Sequence, residues 1–262
     1  MFKKLTAHRN LLKNLVIRDL KYRYAGSIGG FLWSVIHPLA LLLSYTFIFK
    51  VVLKQKNSVA DYGTDNFAIF FFCGFLPWLM FSDTITRSCN SIVDQKNLVT
   101  KTVIPAEILP ISITLSTLIN HLIGLTILLT ALATFFTLPA SALYILIYMP
   151  MLVMFSLGIG WIVAALQVFL RDTVQALQVL IMLWFWFTPI FYPVAVLHSA
   201  KARMLLSLNP MAAIVTGYRN ALLNLQPPDI NSVLTILAVS SAVFVAGALL
   251  FRQAKPAFPD VL

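Results

Sequence analysis

Charged side chains are scarce in this chain: they make up 11% of its 262 residues, and only nine are acidic. Soluble domains carry charges at roughly a quarter of their positions, so this scarcity excludes an ordinary soluble fold. Hydrophobic residues occupy 60% of the positions instead. The composition therefore predicts an integral membrane protein.

Cysteine and the common catalytic motifs are also nearly absent. Cys73 and Cys89 are the only cysteines, and no CxxC or Cys/His cluster accompanies them, which leaves no redox or zinc signature. The chain has no GxxxxGK[ST] phosphate loop, no GxSxG or HExxH motif and no paired carboxylates. We therefore predict no catalytic residue, no metal ligand and no cofactor in this chain, and a role other than that of an enzyme.

Acidic residues are missing from the middle of the apolar segments, since Asp83 and Asp172 lie at their ends. Proton- and sodium-coupled carriers usually keep ionisable ligands near the membrane midplane. This argues against a secondary carrier or flippase, an alternative that only the polar pair Asn120 and His121 favours. A membrane enzyme acting on envelope lipids is a second alternative, which would require His37, His121 and Asp172 to meet.

Runs without Asp, Glu, Lys or Arg locate the membrane crossings, because one helix needs about 20 apolar residues to cross the hydrocarbon core. The runs are 24–49, 66–82, 108–170, 173–200 and 230–251. The third is long enough for two crossings, with a hairpin at Pro139. We predict an all-α fold with six transmembrane helices, at about 31–53, 67–88, 108–138, 143–170, 173–193 and 232–251.

The basic residues are distributed unequally across this topology. The net charge is +10, which in a soluble protein would indicate nucleic-acid binding. With six spans, the side of the membrane that holds both termini collects thirteen Lys and Arg residues. The other side receives six, namely Lys50, Lys54, Lys56, Lys201, Arg203 and Arg219. Because basic residues accumulate in the cytoplasm, we predict that both termini are cytoplasmic.

Three segments outside the spans are also predicted to be ordered. Residues 8–25 form an amphipathic pattern, with leucines on one arc and most basic residues on the other, typical of a helix in the headgroup layer. Residues 90–110 form a structured cytoplasmic elbow, in which Pro105 begins a helix and Glu107 suits its dipole; a solvated connector is the alternative. The external segment 194–231 predicts two shallow re-entrant helices separated at Asn209.

Six segments, in order, resemble the permease subunit of type-2 ABC polysaccharide exporters. They are residues 18–39 (RDLKYRYAGSIGGFLWSVIHPL), 74–81 (GFLPWLMF), 90–112 (NSIVDQKNLVTKTVIPAEILPIS), 169–175 (FLRDTVQ), 187–193 (FTPIFYP) and 209–223 (NPMAAIVTGYRNALL). The resemblance covers the whole chain. It departs from the family pattern at Gly29, where many relatives carry an aliphatic residue, and at Ala106, where many carry Arg.

The resemblance implies a bacterial inner-membrane homodimer bound to two copies of a separate cytoplasmic ATPase. ATP and Mg would bind that partner, and hydrolysis would drive a lipid-linked glycan outward. The family exports O-antigen for lipopolysaccharide biosynthesis, teichoic acid and some capsules. An exporter of a smaller lipid or a drug is a further alternative, because such permeases share the broader fold.

Particular residues acquire expected roles from this resemblance. The elbow would contact the ATPase through Asn97, Lys101, Ile104, Pro105 and Glu107. Arg18, Lys21 and Arg23 would recruit the anionic headgroup of the substrate, at about 1 kcal/mol each, with a topology signal and ordinary lipid binding as the alternative. The re-entrant pair would gate the outer exit.

Aromatic rings are expected to line the path of the glycan, because sugars present apolar C–H faces that stack loosely on rings. The residues are Phe70, Phe71, Phe72, Trp78, Trp184, Phe187, Phe191 and Tyr192. In span five, Trp184, Phe187 and Phe191 recur at helical spacing on one face, which predicts that they meet the glycan while Phe185 faces lipid. A lipid-facing aromatic belt is the alternative.

Overall fold

The computed structural model describes residues 9–24, 36, 39–40, 43–44, 47–52, 64, 66–101, 105–135, 139–194, 197, 199–223 and 227–262. Within these ranges the regular structure is helical, without a strand. The helices are α1 (Arg9–Tyr24), α2 (Phe67–Asn90), α3 (Lys96–Lys101), α4 (Ile108–Phe135), α5 (Ile145–Phe169), α6 (Thr173–Trp186), α7 (Ala200–Ser207), α8 (Pro210–Leu223), α9 (Ile230–Ala254) and α10 (Phe258–Val261). Short 3₁₀ turns at Ala140–Tyr144 and Lys255–Ala257 and a π-helical turn at Phe47–Val52 complete them.

Four helical segments in the described ranges are long and apolar enough to cross a membrane. They are Phe67–Asn90, Ile108–Thr134, Ala140–Phe169 and Ile230–Val261, and they overlap the segments predicted as spans two, three, four and six. The prediction of a helical membrane protein is thus confirmed. The count of six spans stays a prediction, because most of the first predicted span, 31–53, lies outside the described residues.

The fifth predicted span differs from the others. Helix α6 has only 14 residues and therefore measures about 21 Å at 1.5 Å per residue, which is less than the thickness of about 30 Å of the hydrocarbon core. Residues 187–193 continue as turns and bends, interrupted by Pro189. This short helix forms one wall of the candidate site described below.

Helix α5 packs closely against α9 and α2 at glycines. A Cβ atom added to Gly247 would lie 2.2 Å from the carbonyl oxygen of Gly158, and one added to Gly158 would lie 2.7 Å from that of Val243. A Cβ at Gly160 would lie 3.0 Å from the hydroxyl oxygen of Ser88 on α2. Small residues allow such close approach between helices in a membrane.

Two hydrophobic clusters form in the described part of the bundle. We name the first the aromatic core, because rings dominate it: Phe67, Phe70, Phe71, Phe75, Trp78, Phe81, Phe155 and Phe191. We name the second the elbow cluster, since it joins α1, the segment before α4, α5 and the end of the chain: Leu15, Ile92, Ala106, Ile108, Leu109, Trp161, Phe251 and Phe258.

Helices α7 and α8 lie where the re-entrant pair was expected, and Asn209 separates them. Helix α8 buries one face, including Ile214, Tyr218 and Leu222, in the aromatic core. The hydroxyl group of Tyr218 forms a hydrogen bond of 3.1 Å with His121 Nε2 on α4. The polar residue predicted at mid-depth of span three is therefore bonded across helices, which fits its structural interpretation.

Candidate functional site

A groove of about 330 Å³ runs between α2 and α6. It is lined from α2 by Phe75, Trp78, Leu79, Ser82 and Thr86, and from α6 by Gln178, Ile181, Met182 and Phe185. Rings line the end toward the break in α6, whereas hydroxyl and amide groups line the end toward the turn at residues 170–172. This combination of apolar walls and a few polar groups is typical of ligand-binding sites.

The spacing of the lining residues explains the shape of this groove. Those on α2 follow the pattern i, i+3, i+4, i+7, i+11, and those on α6 follow i, i+3, i+4, i+7, which places each set on one face of its helix. Two such faces meet because Phe185 on α6 packs against Trp78, with ring centroids 5.5 Å apart, and against Phe75 at 6.2 Å. The periodicity is visible in the sequence, but the pairing of the two faces is not.

Most of the aromatic residues predicted to line a path lie elsewhere, and of the eight only Trp78 lines this groove. Phe70, Phe71 and Phe191 are at most 3% exposed, inside the aromatic core, while Phe72, Trp184 and Tyr192 are half-buried and Phe187 is 67% exposed. Contact of any of them with a substrate stays a prediction.

The predicted division of span five into two faces is corrected by the structure. Helix α6 ends at Trp186, so helical spacing does not extend to Phe191. Trp184 instead packs between α2 and α5, with its ring centroid 5.0 Å from that of Phe81 and 6.1 Å from that of Phe155. Phe185, which was expected to face lipid, lines the groove.

The side chain of Asn209 attaches the α7–α8 turn to the end of α6. Its Oδ1 accepts hydrogen bonds from Trp184 Nε1 at 2.8 Å and from the backbone N–H of Met211 at 3.0 Å. Its Nδ2 donates to the carbonyl of Phe187 at 3.2 Å and to the Thr188 hydroxyl at 3.1 Å. Trp184 is therefore a structural anchor in this arrangement.

The structure describes the predicted elbow between α2 and α4 except for residues 102–104. Asn97 is exposed on α3, and Pro105 is half-buried. Its carbonyl accepts from the backbone N–H of Ile108 at 3.0 Å, which starts α4. Ile104 is thus not described, and neither is the side chain of Lys101.

Glu107 holds the end of the chain against the elbow. Its two carboxylate oxygens accept hydrogen bonds from Lys255 Nζ at 3.1 and 2.8 Å. Close by, Phe258 is completely buried and packs on Phe251 with ring centroids 5.4 Å apart. The expected role of Glu107 in contacting a partner therefore has a second interpretation, in which it positions the elbow from within the chain.

The basic residues of α1 lie at the same end of the bundle. Arg18 and Lys21 are exposed, whereas the side chain of Arg23 lies outside the described residues. Arg18 Nη2 donates to Gln95 Oε1 in the elbow at 2.7 Å. The adjacent Asp19 accepts hydrogen bonds from Arg87 on α2 and from the Ser116 hydroxyl on α4.

These contacts anchor α1 to two spanning helices while leaving its basic face open. No cluster of three or more His, Cys, Asp or Glu side chains suited to a metal ion occurs within the described ranges.

The chain resembles known proteins along nearly its whole length. Residues 10–223 match the family model described as ABC-2 type transporter. An O-antigen export system permease protein RfbA from Myxococcus xanthus is 32% identical over 262 residues, which covers 99% of this chain and 98% of that protein. Two proteins of the same description from Klebsiella pneumoniae are each 28% identical and cover 97% of this chain and 95% of their own length.

Proposed function

The chain belongs to the ABC-2 type transporter family, and from this premise we propose that it is the transmembrane subunit of an ATP-driven exporter of a lipid-linked polysaccharide. The substrate would be an O-antigen-like chain, a teichoic acid or a capsule. The names of the similar proteins support the O-antigen class.

The groove between α2 and α6 is the structural observation that carries this proposal. The partly exposed ring of Phe185 offers an apolar surface to sugar C–H faces, and the buried rings of Phe75 and Trp78 pack behind it. Ser82, Thr86 and Gln178 offer hydrogen bonds to sugar hydroxyls. A polymer that must slide needs weak and repeated contacts. The groove supplies these without a buried charge among its lining residues.

We place the chain in a bacterial inner membrane with six spans and both termini in the cytoplasm. The four long apolar helices support the multi-pass arrangement, and the unequal distribution of Lys and Arg supports the orientation. Arg219 is 3% exposed, so it no longer counts among the external basic residues, which strengthens the bias. Helices α7 and α8 would form the re-entrant pair near the outer surface.

A second copy of the chain is proposed to cover α6. This helix leaves Leu180, Leu183 and Trp186 exposed, and Phe187 just after it is exposed as well. A homodimer with α6 near its centre would cover this apolar face and enclose the groove.

ATP and Mg would bind two copies of a separate cytoplasmic ATPase, because this sequence contains no phosphate loop. The docking surface would include the elbow, from Asn97 and Lys101 to Ile104, Pro105 and Glu107. Arg18, Lys21 and Arg23 would attract the anionic headgroup of the substrate on the same side, since α1 leaves the first two exposed.

Deletion of the gene in its native bacterium tests this proposal. We expect surface polysaccharide to disappear and lipid-linked glycan to accumulate inside the cell, with both effects reversed by the wild-type chain. Unchanged surface polysaccharide would reject the proposal. If a smaller lipid or a drug accumulated instead, the narrower substrate class would be wrong while the transporter family stood.

A secondary carrier remains the alternative, with His121 as its feature. Reconstitution separates the two, because an ABC exporter transports only with its ATPase and ATP. Uptake into vesicles that contain this chain alone, driven by an ion gradient, would favour the carrier. The bonds of His121 to Tyr218 and to the carbonyl of Leu76 argue for a structural role instead.

A further inference from the structure

A buried arginine joins three separate segments at the end of the groove. Arg219, on α8, donates from Nε to the carbonyl of Phe70 at 3.2 Å. Its Nη1 and Nη2 donate to the carbonyls of Pro189 and Ile190. The guanidinium carbon lies 3.8 Å from the centroid of the Phe70 ring. Helices α2 and α8 and segment 187–193 therefore meet at one side chain.

The non-helical backbone after α6 explains why an arginine is suitable here. Thr188, Pro189 and Ile190 are buried, and their carbonyls have left the helical hydrogen-bond pattern. An unsatisfied carbonyl in apolar surroundings is costly. The planar guanidinium presents several N–H donors at fixed angles, so it can satisfy carbonyls from two segments at once.

The space for this guanidinium depends on Gly74. A Cβ atom added to Gly74 would lie 2.6 Å from Arg219 Nη2 and 3.0 Å from its Cζ. Alanine at this position would therefore displace the guanidinium without removing its charge. Gly124 offers a matched control, because an added Cβ there would meet only the end of the Leu76 side chain.

The segment held by Arg219 packs against the end of the groove at Phe185. Phe191 belongs to this segment and is 3% exposed. Its ring centroid lies 4.9 Å from that of Phe185, the last lining residue of α6, and 5.6 Å from that of Phe71. Phe191 thus connects the segment held by Arg219 to one wall of the groove and to α2.

We propose that Arg219 is a positioning residue that holds segment 187–193 against α2 and so keeps the outer end of the groove closed in the resting transporter. The inference rests on the proposed function, because it takes the groove as part of the translocation path. It predicts that the segment, α8 and the outer half of α2 move together when the path opens.

Passive leakage through the resting transporter tests this role. The intact transporter, purified by a tag on this chain so that its partners stay bound, is reconstituted without ATP into phosphatidylcholine and phosphatidylglycerol vesicles that contain radiolabelled sucrose. We expect wild type and Gly124→Ala to retain the sugar. Arg219→Gln and Gly74→Ala should release it several-fold faster, with Arg219→Lys in between because an ammonium lacks the planar fork.

A purely structural role would have a different signature. It would lower the melting temperature or the yield without raising leakage in the protein that remains folded. Leakage equal to wild type in folded Arg219→Gln and Gly74→Ala would overturn the inference, and so would failure of all three variants to fold.

The two hypotheses can fail separately. A wild-type chain that proves unable to export polysaccharide would reject the proposed function, yet the sucrose measurement would still report whether Arg219 seals the groove. Normal export together with an unchanged seal would reject only the role of Arg219.

Discussion

The two ends of the described bundle satisfy their buried polar groups by different means. Around the elbow cluster, charges pair with charges: Asp19 with Arg87, and Glu107 with Lys255. Around the aromatic core, polar side chains donate to the backbone. Arg219 donates to three carbonyls, and Asn209 donates to the carbonyl of Phe187 at the end of α6.

The difference follows from the backbone and from access to water. The ion pairs keep between 18% and 35% of their side chains exposed, so desolvation of each charge is partial. At the aromatic core a broken helix leaves carbonyls that must be satisfied internally. One end is therefore held by partly exposed ion pairs, and the other by buried hydrogen bonds from side chains to backbone carbonyls.

Exchanging the charges of Glu107 and Lys255 is the strongest test of the difference between the two ends of the bundle. Glu107→Lys should abolish most export while the protein still inserts, because the introduced ammonium group would face that of Lys255. The double variant Glu107→Lys with Lys255→Glu should recover much of the activity if the pair positions the elbow. ATP hydrolysis and glycan export are measured together in reconstituted vesicles.

The outcome of the exchange also separates the two roles of Glu107. If Glu107 contacts the ATPase directly, the exchanged pair should remain uncoupled even though it is reformed. An export rate unaffected by Glu107→Lys alone would contradict both interpretations of the elbow.

A double-mutant cycle on Asp19 and Arg87 measures how firmly α1 is attached. We expect a coupling free energy of about 1–2 kcal/mol, since this charged hydrogen bond is partly exposed. The variants Asp19→Asn and Arg87→Gln, alone and combined, are unfolded at equilibrium in mixed detergent micelles. Lys21→Gln, on the exposed face of the same helix, is the control and should change stability little. Strict additivity of the two substitutions would mean that the pair contributes nothing.

Alanine substitutions on α6 sharpen the description of the aromatic end. Phe185→Ala should slow export several-fold at unchanged protein level, because it removes a wall of the groove. Phe187→Ala should slow it less, since that ring is exposed outside the groove. Export is followed as the appearance of surface glycan over time. A larger effect of Phe187→Ala than of Phe185→Ala would support the substrate-facing side predicted from helical spacing.

The smallest effect is expected at the start of α9, where Asp229 caps the helix. Its carboxylate accepts from the backbone N–H of Ser232 at 2.9 Å and from its hydroxyl at 2.7 Å, and these bonds lower the pKa of Asp229 below the ordinary value of 3.8. Asp229→Ala should speed hydrogen exchange at the first amides of α9 without affecting export. Asp260→Ala removes a carboxylate elsewhere in the chain and should leave hydrogen exchange at these amides unchanged.

The pH dependence of this cap has a definite sign. A lowered pKa means that the stabilisation is present at neutral pH and is lost only as the pH falls through the depressed value. Wild-type exchange at these amides should therefore approach that of Asp229→Ala only in acid. A loss of protection between pH 8 and pH 6, measured against Asp229→Ala at the same pH, would contradict the assignment.

Several features were predictable because their cause is local. Uncharged apolar runs locate helices α2, α4, α5 and α9, since the cost of a charge in lipid acts on each segment by itself. The amphipathic pattern of α1 and the break at Asn209 are likewise local. The face of α2 that lines the groove also has helical spacing, so its periodicity was available in the sequence although its partner was not.

Other features depend on contacts between distant residues. Glu107 and Lys255 are separated by 148 positions, and no local pattern relates them. Nothing in the sequence distinguishes Arg219 from a basic residue of an external loop. Its burial becomes evident only when α8 is placed beside the end of α6. The helical spacing that placed Trp184 and Phe191 on one face does not apply, because the helix ends at Trp186 before Pro189. Periodicity has meaning only while the helix continues.

Membrane insertion, helical structure and family membership were thus determined by the sequence itself, because hydropathy and motif order are properties of a linear chain. The groove, the elbow cluster and the contacts of Arg219 with three backbone carbonyls were decided only by the tertiary structure. Each requires two or more faces to meet, and the free energy that selects their pairing comes from packing and from satisfying buried polar groups, which no single segment contains.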